Sequence, residues 1–333
     1  MSNSTAAPAP VSTLRANGYF GPDFDPAELR RFYDEHGYFV IEDALTPAEV
    51  TELRDDATAI CRGQRGELKG AQSFPADATD DEVLRNYLCI HFPGKISPVM
   101  HANVHHEVAV RALVAALGPN VKCMQTMLFI KSAGKPGQAW HQDEDYIPTR
   151  DRSLIGAWIS IDHATVENGG LWIIPGSHRH GILWDQHWHD DRRFDCSEES
   201  VGFPYTDDDA VPVEVKPGSI VFFNGYTLHR SLPNRAAPGT YRRALVNHYM
   251  RAESFLPWML PTAGEAGPLA KLDFRDVEMV AGVDPYAHRG YEKITQPMLR
   301  PDGRSGCISW SQSGNVNEYS AAPVDHAAEA HVD

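Results

Sequence analysis

The sequence predicts a mainly β protein, an antiparallel sandwich or barrel preceded by helices. Between Val121 and Met250, short apolar runs are separated by Gly, Pro and Asn, a pattern typical of an antiparallel β core. Gly (26) and Pro (24) are together somewhat more frequent in the 333 residues than in an average domain, which favours a turn-rich fold. The chain before Val121 instead has the apolar spacing of helices.

Three helices and one strand are predicted before the β region. Residues 26–36 carry apolar side chains at helical spacing, and Gly37 follows as a stop. Thr46-Pro47-Ala48-Glu49 is a capping box with Pro at the first helical position, so a second helix begins there. A short strand rich in aromatic and β-branched residues begins at Tyr38, and the third helix covers residues 103–117.

The two ends of the chain differ in composition from the rest. Residues 1–18 and 320–333 are rich in small residues and Pro and are predicted to be flexible tails. We assign residues 19–319 to a single domain with a β core at about 121–250. Residues 251–319 are expected to form a C-terminal extension packed on that core.

Charge and cysteine content exclude several classes of protein. Asp and Glu (45) outnumber Lys and Arg (30), for a formal charge of -15, so neither nucleic acid nor an anionic membrane is an expected partner. The five cysteines are far apart and form no CxxC motif, which disfavours a disulfide framework or zinc knuckle. No secretory signal or membrane-spanning run is found, so a cytoplasmic location is predicted.

The motif Trp140-His141-Gln142-Asp143 indicates a metal site. In an extended segment, residues i and i+2 share a face, so His141 and Asp143 would present an imidazole and a carboxylate together. His229 follows a strongly apolar strand and could supply a third ligand. Two His and one carboxylate on one face of an ion form the facial triad of non-haem Fe(II) oxygenases, which leaves positions for a cosubstrate and O₂.

An HxD motif is a weak signal by itself, because the chain contains two similar motifs. His189-Asp190-Asp191 fits HxD in a polar stretch, and His105-His106-Glu107 fits HxE in a predicted helix, where i and i+2 do not share a face. The alternative is that His141 lies at the surface end of a strand and that His229 is a core His bonded to the backbone.

A cosubstrate with two carboxylates also needs a fixed cation at its far end. Arg binds carboxylates through two parallel hydrogen bonds. Arg242 and Arg243 lie on the predicted strand YRRALVNHYM, after His229. Since successive strand residues face opposite sides, at most one of the two enters the barrel.

The order of these motifs resembles a known family. The runs WHQD, GAWISID, ENGGLWIIPGSH, PGSIVFFNGYTLHRS, PN and RRAL, with GYFVIEDALTPAEV before them, resemble the phytanoyl-CoA dioxygenase-like family over about residues 30–250. The resemblance implies an oxygenase that uses Fe(II), 2-oxoglutarate and O₂. It also implies a double-stranded β-helix, a jelly-roll or cupin-like barrel, with N-terminal helices and a C-terminal extension.

The resemblance also implies roles for individual residues. His141, Asp143 and His229 would bind iron, and Arg242 would pair with the distal carboxylate of 2-oxoglutarate. Ser231 matches the usual hydroxyl partner of that carboxylate. Three more residues match positions that often line the cosubstrate pocket, namely Gln138, Met127 and Trp158.

One spacing departs from the family pattern. Arg242 follows His229 by thirteen residues, which is more than the family commonly has. The turn at residues 235–239 can absorb the difference. Arg242 matches the family better than Arg243 because it precedes Arg-Ala-Leu.

Asp143 bears on the type of reaction. Related halogenases have a small residue at this position, so a carboxylate predicts hydroxylation or a variant such as desaturation, epoxidation or ring closure. The acidic chain has no obvious basic cluster for an acyl-CoA, so we expect a small polar or cyclic metabolite as substrate, such as one from secondary metabolism. Glu144, Tyr146 and Arg150 are expected near the barrel mouth, either in contact with substrate or on a solvated loop.

The stretch 178–210 is long, polar and aromatic. Loops of this length in a compact domain are commonly functional, and we predict a lid over the substrate. A second metal site in it is disfavoured, because irregular His clusters more often make hydrogen bonds. Its aromatic residues and histidines include His178, His180, Trp184, His187, Trp188 and His189.

Two other classes of protein stay open on the sequence alone. A cupin-like isomerase or epimerase would need an acid/base pair, for which Tyr226, His163 and His248 are available. A non-catalytic small-molecule-binding barrel should have lost a metal ligand or the Arg, and the chain has all of them. Dependence on O₂ and 2-oxoglutarate would separate the oxygenase from both.

Overall fold

The computed structural model describes four stretches of the chain, residues 18–195, 198–254, 277–289 and 295–300. The predicted tails lie outside them apart from Gly18, as does most of the predicted C-terminal extension. Within these stretches, no helix is both long and apolar enough to cross a membrane. The three cysteines that fall in them, Cys61, Cys89 and Cys123, are buried free thiols.

Six α-helices form in the described residues: α1 (Pro26–His36), α2 (Pro47–Cys61), α3 (Asp80–Leu84), α4 (Pro98–Ala102), α5 (Glu107–Leu117) and α6 (Asp143–Tyr146). Helix α1 ends as predicted at Gly37, whose φ of 77° is the left-handed conformation that favours glycine. Helix α2 begins at the predicted capping box. The third predicted helix starts later than expected, because Asn103–His105 form a 3₁₀ turn and His106 is extended (ψ 124°).

Fifteen strands form in the same part of the chain: β1 (Tyr19–Phe20), β2 (Tyr38–Ile41), β3 (Cys89–His91), β4 (Val121–Ser132), β5 (Gln138–His141), β6 (Ile155–Ser160), β7 (Leu171–Ile173), β8 (Gln186–Trp188), β9 (Glu198–Ser200), β10 (Val211–Val213), β11 (Ile220–Asn224), β12 (His229–Ser231), β13 (Tyr241–Arg251), β14 (Glu278–Ala281) and β15 (Met298–Arg300). Every apolar run predicted to be a strand between Val121 and Met250 contains one.

The strands form two main sheets. The large sheet has the order β1-β2-β11-β6-β13-β4-β3-β15, with β14 paired to β4, and is antiparallel except between β1 and β2. The small sheet, β10-β7-β12-β5, is antiparallel throughout. Among the strands of the described residues, β8 and β9 pair only with each other. The predicted mainly β, jelly-roll fold with N-terminal helices is therefore confirmed.

Two apolar layers hold these sheets in place. The inner layer joins the sheets face to face, with Trp158 and Phe223 from the large sheet and Ile173 from the small one. The outer layer packs helices α1, α2 and α5 on the far face of the large sheet, where Phe39 and Phe222 stack with ring centroids 4.6 Å apart. Because its strands are covered on both faces, the large sheet has nearly continuous apolar runs rather than alternation.

Strand register sets the positions of the predicted site residues. In the small sheet, His229 of β12 lies opposite His141 of β5. In the large sheet, Arg242 of β13 lies opposite Lys131 of β4. Both pairs contribute to the space between the two sheets.

Candidate functional site

The three predicted metal ligands converge between the sheets. The Nε2 atom of His141 lies 3.8 Å and that of His229 lies 3.6 Å from Asp143 Oδ1, and all three donor atoms lie within 4.8 Å of one another. Strand β5 ends at His141, but Gln142 stays extended (φ -126°, ψ 124°). The i, i+2 alternation expected from the sequence therefore holds although Asp143 begins helix α6.

Both imidazoles are oriented by the backbone. His141 Nδ1 donates to Ala139 O at 2.8 Å, and His229 Nδ1 donates to Thr227 O at 3.0 Å. Because a carbonyl can only accept, Nδ1 carries the hydrogen in each ring and the Nε2 lone pair is free to bind a metal. Burial, with a contribution from His229, lowers the pKa of His141 to about 4, which favours the neutral, ligating form.

His248 orients the carboxylate ligand. Its Nε2 lies 3.2 Å from Asp143 Oδ2, so it can donate to the oxygen that does not face the two ligand histidines. Burial acts to raise the pKa of Asp143, but His229, His248 and His141 outweigh it and hold that pKa below its ordinary value. Asp143 is therefore ionised, with Oδ1 directed toward the imidazoles.

Gln142 ties the metal-binding motif to its surroundings. Its buried side chain donates through Nε2 to Ile182 O at 3.0 Å and to Tyr226 O at 2.8 Å. Its Oε1 accepts from the backbone N–H of Trp184 at 2.9 Å. The amide thus joins the end of β5 to the turn before β12 and to the predicted lid, and no sequence signal beyond the motif itself identified this role.

The structure shows which of the two neighbouring arginines faces the inside of the barrel. Arg243 faces the far side of the sheet and pairs with Asp162 through two contacts of 2.7 and 2.8 Å. Arg242 faces inward, is 3 % exposed, and lies with its guanidinium carbon 5.5 Å from the centre of the Trp158 ring. Its Nε is buried with no hydrogen-bond partner among the described residues. Burial lowers the pKa of Arg242 to about 10.

Ser231 is held as a hydrogen-bond donor beside Arg242. Its Oγ accepts from Lys131 Nζ at 2.9 Å and from the backbone N–H of Gln138 at 3.2 Å. Since both acceptor positions of the hydroxyl are used, its hydrogen remains available to an acceptor in the cavity. Burial and the Arg242 charge lower the pKa of Lys131. Lys131 was not predicted from the sequence, because its place beside Ser231 follows from the pairing of β4 with β13.

The predicted iron and cosubstrate residues line one cavity of about 60 Å³. This cavity has a two-nitrogen, one-oxygen ligand set and, on its wall, a buried arginine with an unpartnered Nε. Those features fit Fe(II) and a dicarboxylate. The predicted residues that line it are His141, Asp143, His229, Arg242, Ser231, Gln138, Met127 and Trp158.

The three residues expected at the barrel mouth have different environments in the structure. Glu144 is not there: it is buried, and its Oε1 accepts from the backbone N–H and Oγ1 of Thr149 at 2.5 and 2.6 Å. Arg150 is exposed, and its backbone N–H donates to Ser254 Oγ. Tyr146 remains beside the site, with its ring centroid 6.1 Å from that of His141.

Apart from His248, the other histidines singled out in the sequence do not converge on the triad. In the predicted lid, His189 accepts from the backbone N–H of Asp191, and His180 lies 2.8 Å from the Tyr205 hydroxyl. Of the residues available to an isomerase, His163 is exposed. Among those candidates only His248 lines the cavity, where it faces Asp143.

Comparison with known proteins identifies the family. Residues 33–244, more than half of the chain, match the family model described as phytanoyl-CoA dioxygenase (PhyH). The chain therefore belongs to the phytanoyl-CoA dioxygenase family, and the resemblance seen in its motifs is confirmed.

Individual relatives are similar over different lengths. A phytanoyl-CoA dioxygenase of Arabidopsis thaliana is 32% identical over 128 residues, which are 37% of this chain and 42% of that protein. Phytanoyl-CoA dioxygenase 1 of Oryza sativa subsp. japonica is 26% identical over 260 residues, covering 68% of this chain and 89% of that one. Among solved structures, the non-heme alpha ketoglutarate dependent carbocyclase SnoK from nogalamycin biosynthesis shares the fold, with a TM-score of 0.55 and 21% identity over 78% of this chain and 97% of that one.

We predict that His248→Ala weakens divalent-metal binding by about 10- to 100-fold, the usual cost of losing a group that orients a metal ligand. The reason is that Asp143 loses the donor that holds its Oδ2. Anaerobic competition between the protein and a chelating dye for Fe(II) measures the change. His163→Ala, an exposed histidine outside the cavity, is the control and should bind as tightly as wild type. Equal affinity in both variants would contradict this role of His248.

Proposed function

We propose that this member of the family is an Fe(II)- and 2-oxoglutarate-dependent dioxygenase that oxidises a C–H bond of a small-molecule metabolite. The observation that carries the proposal is the convergence, in one buried cavity, of a two-His, one-carboxylate ligand set with the inward-facing Arg242. Such a ligand set leaves positions open for a cosubstrate and O₂. Arg242 supplies the cation that a second carboxylate requires.

The triad residues hold Fe(II) through His141 Nε2, His229 Nε2 and a carboxylate oxygen of Asp143. When bound, Fe(II), 2-oxoglutarate and O₂ would supply the oxidising chemistry, with succinate and CO₂ as the other products. His248 keeps Asp143 Oδ1 directed at the ion by donating to Oδ2. The presence of this carboxylate favours oxygen insertion or a related oxidation over halogenation.

Arg242 and Ser231 bind the distal carboxylate of 2-oxoglutarate. The guanidinium has an unpartnered N–H, and the Ser231 hydroxyl has only its hydrogen left to donate. Both donors lie in a site shielded from water, where attraction between a cation and an anion is stronger than in solvent. Trp158 packs against the guanidinium, and Met127 lines the wall beside it. Bound carboxylate thus offsets the cost of burying the Arg242 charge.

The substrate that fits this site is a small metabolite rather than an acyl-CoA. The formal charge of -15 opposes binding of the anionic CoA moiety. A relative described as a carbocyclase from nogalamycin biosynthesis supports a role in tailoring a natural product. Tyr146 is the substrate-contact candidate nearest the triad. Segment 178–210, anchored by Gln142, covers the substrate in this proposal.

We propose that neither nucleic acid nor a membrane surface is a partner of this protein, because its formal charge of -15 opposes binding to phosphates and anionic lipids. We also propose a cytoplasmic location, which the free thiols of Cys61, Cys89 and Cys123 support.

We predict that the protein converts 2-oxoglutarate to succinate only when Fe(II) and O₂ are both present. Asp143→Ala should abolish this conversion, because the ion loses its anionic ligand. Succinate is measured by chromatography, with the exposed-residue variant Asp34→Ala as a matched control that keeps full activity. An isomerase or a non-catalytic barrel would form no succinate, and that result with iron-loaded wild type would overturn the proposed function.

A second prediction concerns the cosubstrate-binding residues. Arg242→Met should raise the Kd for 2-oxoglutarate by about 10- to 100-fold, because it removes hydrogen bonds between charged groups. Lys131→Met should raise it by about 5-fold, because the Ser231 hydroxyl is no longer fixed as a donor. Calorimetric titration of 2-oxoglutarate into Mn(II)-loaded protein measures both.

The control is Arg30→Met, which removes one positive charge from an exposed pair with Asp34 and should leave the Kd unchanged. The assignment of the distal carboxylate to Arg242 fails if Arg242→Met binds 2-oxoglutarate as tightly as this control does.

A further inference from the structure

A second cluster of potential metal ligands lies at the surface. His101 belongs to α4, His105 to the 3₁₀ turn that follows, and Glu278 to the start of β14. Glu278 Oε1 lies 3.0 Å from His101 Nε2 and 2.7 Å from His105 Nε2, and its Oε2 lies 2.9 Å from His101 Nε2. One donor atom from each residue falls within 4.8 Å of the other two.

The local fold explains why these three side chains meet. His101 and His105 are four residues apart in consecutive helical turns, so they lie on the same side with ring centroids 5.6 Å apart. Glu278 reaches them because β14 pairs with β4, where Glu278 lies opposite Cys123. The cluster therefore depends on a tertiary contact between residues far apart in sequence.

We propose that His101, His105 and Glu278 form a second divalent-metal site, selective for Zn²⁺ or a similar borderline transition-metal ion. Two imidazole nitrogens and one carboxylate oxygen are a donor set that zinc accepts, with water as the fourth ligand. The side chains are 48%, 37% and 40% exposed, so water has access.

The distances fit an ion after a small adjustment. Ligands about 2.0–2.1 Å from a tetrahedral Zn²⁺ lie about 3.3 Å from one another. The two His–Glu contacts at Oε1 measure 3.0 and 2.7 Å, so each imidazole needs to move away from the carboxylate oxygen by only about half an ångström. Exposed ion pairs contribute little to stability because water and salt screen them, so ion pairing alone is a weak reason for three side chains to converge.

The position of the cluster gives the ion a structural role. Within the described chain, β14 is held in the large sheet only through β4. A metal ion would add a cross-link from β14 to α4. His101 and Glu278 also line a cavity of about 570 Å³ whose walls are largely apolar and include Phe92, Val104 and Met279.

Zinc stoichiometry tests the proposal independently of the iron site. The full-length variant His141→Ala/His229→Ala removes two of the three triad ligands, and titration with Zn²⁺ against a competing chelator counts the ions that remain. We expect one bound equivalent, which is lost when His105→Ala or Glu278→Gln is added. His163→Ala added to the same background should keep it, because His163 is exposed and outside both clusters.

Two results would overturn this site: no zinc equivalent in the triad-disabled protein, or an equivalent that persists with His105→Ala and Glu278→Gln. Far-UV circular dichroism checks that each variant is folded. If the triad-disabled protein does not fold, the same titration is made with otherwise wild-type protein. There His105→Ala must lower the number of bound Zn²⁺ ions by one, and an unchanged number would overturn the proposal.

Discussion

The pairing of β12 with β5 puts His229 opposite His141, and the arrangement of the site depends on that register. A slip by one residue would turn His229 to the other face of the sheet and separate the metal ligands. The register shifts between His229 and Ser231, where Ser231 lies opposite Gln138. This irregularity lets residues three apart on β5 both line the cavity. Gly137 permits the close approach, because a Cβ there would collide with the carbonyl of Ser231.

Charge placement gives the cavity two chemically distinct regions. At one, the imidazoles of His141 and His229 and the ionised Asp143 form a ligand set for a divalent cation. At the other, Arg242 is buried without an ion-pair partner among the described residues, whereas its neighbour Arg243 is neutralised by Asp162. Because a buried charge without a counter-ion is costly, the Arg242 region is built to receive an anion. A dicarboxylate that also binds the metal satisfies both regions at once.

The sequence predicts those parts of the protein that depend on local pattern or on recognised motifs. Apolar spacing and caps locate the first two helices, and the motif order predicts the triad and Arg242, whose side chains line one cavity. Lys131 could not be predicted, because its contact with Ser231 arises from strand register and from the approach of two sheets. Glu144 was expected at the mouth but turns inward, because Asp143 begins a helix and Thr149 donates to the Glu144 Oε1 atom. Spacing alone does not report such tertiary contacts.

The central claim is that this cavity binds Fe(II) and 2-oxoglutarate together. Anaerobic titration of the Fe(II)-loaded protein with 2-oxoglutarate, followed by visible absorption, tests it most directly, because chelation of Fe(II) by a 2-oxo acid produces a charge-transfer band. We expect the band in the wild type, its loss in His141→Ala, and its appearance only at higher 2-oxoglutarate concentration in Arg242→Met. Absence of the band from wild-type protein that has bound Fe(II) would contradict the account.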